Sequence, residues 1–488
     1  MWKPAERIKY QPSPGHWPTP DEAQRARLFQ GLTYQSLHLD QRTWVPAMVP
    51  WRASADGETS EAVIEWYRRF AQGKPGAIVV EATGIRDVAS GPLLRIGHDR
   101  YLPGLKRIVD AVRDASDGET RLFIQLIDFL TIRRRVPQQK FLQQFLKISE
   151  LHRQQLQLPA STPDEQVRSA LLQLPDEELA EVLDPRDHRD MTHGYRERVT
   201  DTDNKAIAEL PHYLPKLFAQ AATRAEQAGF DGVELHFAHA YTMASFLSPT
   251  NTRTDGYGST KEGRIRLPMH VYQEVRRNTG KGFVVGARFL SEECISGGVT
   301  LSDSSWYAEQ FAQAGLDFLS LSRGGKFDDA KRPKLGEAAY PYTGPSGYEC
   351  MPQYISDAFG PFGRNVDPVA QIRAGVRKAG FDTPIVVAGG IHNFEQAEAI
   401  LKSNQADIIG FARQSLADPD WFRKVKSGYG KDVVLCEYTN YCEGLDQKHK
   451  QVTCNLWDRS QLEPDTPMTS DGKRRRVAPD WIPVTQLD

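Results

Sequence analysis

Residues 232–266 hold the side chains best suited to chemistry: the apolar run GVELHFA ends in His236, His239 and Tyr241, then passes through a loop with Pro249, Gly256 and Gly258 into a helix-like segment. Two histidines three apart would point to opposite faces of a continuing strand. To serve one ligand, the chain must leave the strand and turn there. Neighbouring imidazoles are common zinc ligands, but a catalytic zinc needs a third ligand. There is no HExxH helix, and Glu234 and Asp255 lack metal-like spacing, so no metal is expected. The alternative use is as paired N–H donors aimed at an oxygen that gains negative charge. Tyr241 then offers a proton as general acid. Taken alone, the three residues fit ordinary packing at a strand end equally well.

Further candidates lie at the ends of other apolar runs. Gln125 closes LFIQL and offers both donor and acceptor to a heterocycle. Arg288, in GARF, needs an anionic partner at an otherwise apolar strand end. Ala388-Gly389-Gly390 and Gly410-Phe411-Ala412-Arg413 suit an anion: bare backbone lets N–H groups approach, and the arginine adds fixed charge. Together these groups suit a phosphorylated, electron-accepting ring.

Positioning them requires a repeated unit. Eight strand-like runs are each followed by a helical pattern: TWVPAMV from Thr43, AIVVEAT from Ala77, LFIQL from Leu122, GVELHFA from Gly232, FVVGARF from Phe283, FLSLS from Phe318, PIVVAGG from Pro384 and ADIIGFAR from Ala406. This predicts an α/β fold, a closed (β/α)8 TIM barrel with long inserted loops and a C-terminal extension. The rival, a doubly wound open sheet, would carry a glycine fingerprint after its first strand, where this chain has Pro46-Ala47-Met48-Val49-Pro50. The barrel should occupy residues 1–428, with an insertion at 132–204 after the third strand and a long loop at 324–368 after the sixth. Residues 429–488 form the extension, and the tail SDGKRRRVAPD reads as poorly ordered. The insertion is charge-rich and reads as a helical surface excursion, with a lid over the site as the alternative. The tyrosine-rich second loop has two readings, a pocket lining or plain surface packing.

Bulk composition narrows the setting. With 488 residues, 40% of them hydrophobic, and a formal charge of -2, the chain has core material for a large fold and no basic footprint for nucleic acid. No apolar stretch spans a bilayer and no secretory signal opens the chain. Five cysteines are too few for a disulfide scaffold, which points to a reducing, cytoplasmic setting.

At this point the motifs carry a resemblance. HFAHAYTMASFLSPTNTRTDGYGSTKEGRIR resembles the signature of the Old Yellow Enzyme (NADH:flavin oxidoreductase) family, in which HxAN or HxAH, a Tyr two residues on, FLSP, NxRTDxYGGS and ENRxRF stand in this order. The GARF arginine, VVAGGI and ADIIGFARQSLADPDWF follow in family-like order. The resemblance implies a flavoprotein oxidoreductase, an ene-reductase, binding FMN and drawing electrons from NADPH or NADH. By position, Ala47, Met48, Val49, Ala82 and Gln125 would line the flavin ring. Arg288 would face its pyrimidine side, His236 would also contact the cofactor, and Gly389, Gly390, Ala412 and Arg413 would hold the phosphate. His236 and His239 would grip the carbonyl of an α,β-unsaturated substrate, with Tyr241 as proton donor. The partner is then a small enone-type molecule, with no nucleic acid or membrane, and a homo-oligomer is allowed.

Some residues depart from the pattern. Val49 stands where many members have Thr or Cys, QLIDFLTIRRR replaces QLWHAGR, Ala412 replaces a glycine, and Gly263 replaces the Asn of ENR. Cys436, Cys442 and Cys454 resemble an iron–sulfur segment of the dienoyl-CoA reductase branch, but Thr439 occupies one ligand position, so structural thiols are expected. Two other functions stay open: a flavin dehydrogenase or isomerase of a specialised metabolite, and a non-catalytic flavin-binding protein.

Overall fold

The computed structural model describes residues 12–348, 362–458 and 465–483. Eight parallel strands close into a barrel in the order β10-β3-β4-β5-β6-β7-β8-β9. They are β3 (Thr43–Val45), β4 (Ala77–Gly84), β5 (Arg121–Ile127), β6 (Gly232–Phe237), β7 (Val284–Leu290), β8 (Leu319–Ser322), β9 (Ile385–Ala388) and β10 (Ile408–Gly410). These are the eight strands expected from the sequence, and the barrel is borne out.

The helices form where amphipathic runs meet good caps. Helix α1 (Glu61–Gln72) starts where Ser60 accepts the Val63 N–H, and α2 (Leu102–Ser116) has Pro103 in its first turn. Helix α3 (Leu210–Ala228) stops at Gly229 in the left-handed region, and α4 (Lys261–Asn278) starts on Thr260.

Strand alternation sorts the barrel interior into two levels. In the lower level Trp44, Phe123 and Phe318 meet with ring centroids 5.0–5.7 Å apart, joined by Val79, Val284 and Val386. Burying each such side chain stabilises the fold by about 1.5–3 kcal/mol. Gly286 makes the space for Phe318, since a Cβ there would lie 2.3 Å from that ring. A hairpin of β1 (Leu32–Tyr34) and β2 (Leu37–Leu39) closes the floor with Leu37 and Leu39. The sequence reading missed it, because three-residue strands leave little periodicity to detect.

One level up, on the same inward register, the side chains become polar: Gln125 pairs with Glu234 across β5 and β6, and His236 with Arg288 across β6 and β7. A register shift between Val80 and Ala82 turns Glu81 outward, where its carboxylate accepts from the Tyr67 hydroxyl at 3.0 Å, and leaves Ala82 beside Gln125.

The 132–204 insertion is helical and holds its own small core of Phe141, Leu142, Val167, Leu171, Leu179 and Met191. It is tied to the loop after β8, where Arg135 N–H donates to Glu337 O at 2.8 Å and Arg189 to Asp328 O at 2.7 Å. That loop is described only to residue 348, so part of its tyrosine-rich segment, and Cys350, lie outside the described residues.

The tail expected to be poorly ordered instead packs back on the barrel. Arg69 of α1 donates to Ala478 O at 3.1 Å and Pro479 O at 2.6 Å, and Arg476 pairs with Glu65 at 2.7 Å. Its Arg476 finds a carboxylate on α1 and its own carbonyls accept from an α1 arginine, a long-range match that composition does not show. Among the described residues no helix is long and apolar enough to cross a membrane.

Replacing Gly286 with alanine should destabilise the barrel by about 1–3 kcal/mol through overpacking against Phe318. Urea denaturation of the two proteins measures it, and equal midpoints would show that Phe318 moves aside freely.

Candidate active site

The chain leaves β6 through two consecutive non-glycine residues in the left-handed region, His239 at φ 60° and Ala240 at φ 61°. Each costs on the order of 1–2 kcal/mol for an L-residue. The turn sets both imidazoles on one side, as joint service to one ligand requires: ring centroids lie 5.2 Å apart, and His239 Nδ1 is 3.3 Å from His236 Nε2. Tyr241 follows, its ring 5.8 Å from that of His236 and edge-on to Phe129 at 5.2 Å and Phe327 at 6.2 Å.

Hydrogen bonds assign the protons. Ala238 N–H donates to His236 Nδ1 at 3.3 Å, so the neutral ring carries its proton on Nε2. That proton is directed at His239 Nδ1, leaving the His239 proton on Nε2, 2.7 Å from Ser322 Oγ. Burial and the Arg288 charge hold His236 down at about 3. Burial, His236 and Arg288 hold His239 well below the usual imidazole range. Both rings are therefore neutral Nε2–H donors throughout the physiological range. Burial pushes the Tyr241 phenol up from its ordinary value, with Asp446 adding to the effect, so it keeps its proton until a strong base appears.

Beneath the histidines lies a buried polar floor. Gln125 Nε2 donates to Glu234 Oε1 at 2.5 Å, and Glu234 Oε2 is buried without a hydrogen-bond partner among the described residues. Burial raises the Glu234 carboxyl and Arg288 opposes the rise. The Arg288 guanidinium is half-buried and gives one N–H to Ser320 Oγ at 2.9 Å. An orphan acceptor, an amide and an arginine with spare donors are a donor and acceptor set that fits the N–H and C=O groups of a flavin's pyrimidine edge.

The structure places the remaining predicted residues at the same mouth. Ala47, Met48 and Val49 are half-buried just beyond β3, and Ala82 sits beside Gln125. Gly389 at φ 132° and Gly390 at φ 66° end β9, beside Ala412 and Arg413 beyond β10. Arg413 is turned toward the C-terminal extension: it donates to Asn440 Oδ1 at 2.8 Å and lies 5.0 Å over the Tyr438 ring. Cys436, Cys442, Cys454 and Thr439 line a void of about 20 Å³ next to it, room for a single water. Burial pushes the Cys442 thiol up to about 12.

Several site residues escaped the sequence reading. Ser320 and Ser322 were legible as the alternate polar positions of FLSLS. Asp446 carried no local signal: its carboxylate accepts from Trp51 Nε1 at 2.6 Å and from the Tyr340 hydroxyl at 3.1 Å, joining three distant segments. Tyr342 of the loop after β8 reaches His239, rings 5.3 Å apart, so part of that loop lines the site.

Comparison with known proteins bears on this arrangement. Residues 209–432, just under half of the chain, match the NADH:flavin oxidoreductase / NADH oxidase family. The particular resemblance read from the motifs, to Old Yellow Enzyme, is thereby borne out. The chain is 27% identical to the NADH oxidase of Thermoanaerobacter brockii over 414 residues, 84% of this chain and 52% of that protein. It is 23% identical to a probable NADH-dependent flavin oxidoreductase of Bacillus subtilis, covering 88% of this chain and 94% of the relative. The chain thus spans about half the length of the first relative and nearly all of the second. In fold it is similar to morphinone reductase, with a TM-score of 0.53 at 22% identity over 83% of this chain and 90% of that one. It is likewise similar to the Old Yellow Enzyme homologue from Zymomonas mobilis, with a TM-score of 0.51 at 23% identity over 81% and 91% of the two chains.

The depressed His236 has a consequence for stability. The unfolded chain takes up this proton near pH 6.5, while the folded chain resists it down to about 3, so the unfolded state binds more protons in between. Stability is full above 6.5 and falls as pH drops through that window. In His236→Gln the slope of unfolding free energy between pH 6 and 4 should be shallower by up to about 1.4 kcal/mol per pH unit, measured by urea titration at each pH. Identical slopes would place the His236 titration at its unfolded value.

Proposed function

We propose that this protein is an FMN-dependent oxidoreductase that reduces the C=C bond of α,β-unsaturated carbonyl compounds with electrons from NADH or NADPH. The observation that carries the reading is the pair of neutral imidazoles with a protonated tyrosine 5.8 Å from one of them, above an arginine-bearing polar floor. Bound FMN supplies a hydride at N5 for the β-carbon. Gln125, Glu234 and Arg288 would orient the ring, and Ala47, Met48, Val49 and Ala82 would line it. Arg288 would offset negative charge that the reduced ring carries. Gly389, Gly390, Ala412 and Arg413 would hold the phosphate.

His236 and His239 redirect their Nε2 protons from His239 Nδ1 and Ser322 to the substrate oxygen. Because neither ring is charged, they polarise the carbonyl without protonating it. Tyr241, its proton retained by burial, releases it to the α-carbon as that carbon becomes strongly basic. Phe129 and Phe327 pack edge-on against the phenol and fix its place. The proposed setting is cytoplasmic, which the low cysteine content of the sequence supports.

A dehydrogenase that runs the flavin oxidatively is the second reading, favoured by Asp446. Its carboxylate sits by the mouth among Trp51 and Tyr340, with no ion-pair partner among the described residues, a setting suited to a cationic amine.

The purified protein should show a flavin band that NADPH or NADH bleaches without air and 2-cyclohexenone restores. Tyr241→Phe should slow the restoration by roughly 100-fold or more while the bleaching persists. Restoration at the unaltered rate would remove Tyr241 as the acid. Bleaching by a methylamine and not by either nicotinamide would replace the reductase with the dehydrogenase.

A further inference from the structure

The insertion and the loop after β8 enclose a cavity of about 220 Å³ with Ala240, Tyr241 and Thr242 in its wall. At about 30 Å³ per water this is room for roughly seven waters, or a short polar fragment of a ligand. The candidate proton donor thus borders two spaces, the flavin mouth and this one.

Three cations and two anions line the cavity, and most of them are already engaged. Lys326 is locked to Glu293 at 2.9 Å, both side chains buried. Arg196 pairs with Asp328 at 3.2 Å and lies 4.6 Å over the Phe327 ring. Glu197 accepts the Thr131 N–H at 2.8 Å and sits in the field of Arg86. Arg198 remains. Among the described residues its guanidinium makes no hydrogen bond, and its Nε is buried without an acceptor. Asp190 and Asp328 lie in its field, but neither bonds to it.

A buried N–H without an acceptor is costly, and the planar fork of this half-buried guanidinium matches a carboxylate with two parallel hydrogen bonds. A lysine would offer only a point charge. We propose that this cavity is a subsite for a carboxylate carried by the substrate, and that Arg198 selects for it. The inference rests on the reading of Tyr241 as the proton donor and narrows the substrate class: short α,β-unsaturated carbonyl compounds with a carboxylate at the end remote from the oxygen gripped by the histidines. The insertion then has a task, since it brings Arg198 to the barrel mouth.

Two matched pairs of compounds test it on the FMN-loaded protein. The first pair, 4-oxopentanoate and its methyl ester, is titrated by calorimetry and differs in charge and one methyl group. The acid should bind about tenfold or more tightly than the ester, and Arg198→Ala should bring the ratio close to one, with Arg198→Lys between. Equal binding of acid and ester by the unaltered protein, or a ratio that survives in Arg198→Ala, overturns the proposal. The second pair, 4-oxopent-2-enoate and its methyl ester, is followed as flavin reoxidation. Acid-selective binding without reoxidation by either would remove the reductase reading and keep the subsite. Reoxidation by both alike, through similar KM values, would remove the subsite and keep the reductase.

Discussion

The site depends on one backbone constraint, the left-handed pair His239–Ala240 at the end of β6. In an extended continuation His236 and His239 would face opposite sides of the sheet, one toward the barrel and one toward its helices. Two strained residues reverse that outcome. The strain persists because its surroundings over-determine it: β6 is held on both sides by β5 and β7, Thr242 Oγ1 donates to Asp128 O at 3.0 Å, and Ser245 Oγ donates to Ala240 O at 3.0 Å. A rigid parallel barrel can hold a conformation that an isolated loop would relax away.

The same rigidity sustains the polar floor. Glu234 is buried in a barrel whose lower level is aromatic, and one of its oxygens is unsatisfied by the chain. Such a group costs at least about 1–3 kcal/mol. The Trp44, Phe123 and Phe318 level supplies stabilisation of that order several times over. The chain thus spends core stability on a polar layer that a bound heterocycle would satisfy.

Much of this was legible in the sequence, for physical reasons. Strands buried on both faces read as continuous runs rich in Val and Ile, so eight of them stood out, and their ends were marked by polar residues that such runs otherwise exclude. His236, His239, Tyr241, Gln125 and Arg288 were found that way. What escaped has no local signature. The floor hairpin is too short to show a period, and Asp446 gains its meaning only from Trp51 and Tyr340, hundreds and about a hundred residues away in the chain respectively. The tail looked disordered because it is basic and polar, yet Arg69 and Glu65 of α1 capture it. Composition reports what a segment could bury within itself and says nothing about an arginine and a carboxylate waiting on a distant helix.

The charges around the site follow one logic, which is neutrality where the substrate is gripped. An imidazolium pair beside Arg288 would place three positive charges within one small pocket, and the low polarity of the barrel would make their repulsion severe. Both rings shed their protons instead, which leaves each with a single directed N–H. The Arg288 charge in turn opposes the rise that burial imposes on the Glu234 carboxyl. Neutral donors on β6 and a fixed charge beside them on β7 separate two tasks that one cation would confuse: holding a carbonyl oxygen without protonating it, and stabilising negative charge on a bound ring. Arg198, in the wall of the cavity that Tyr241 also lines, extends the same division to a third position.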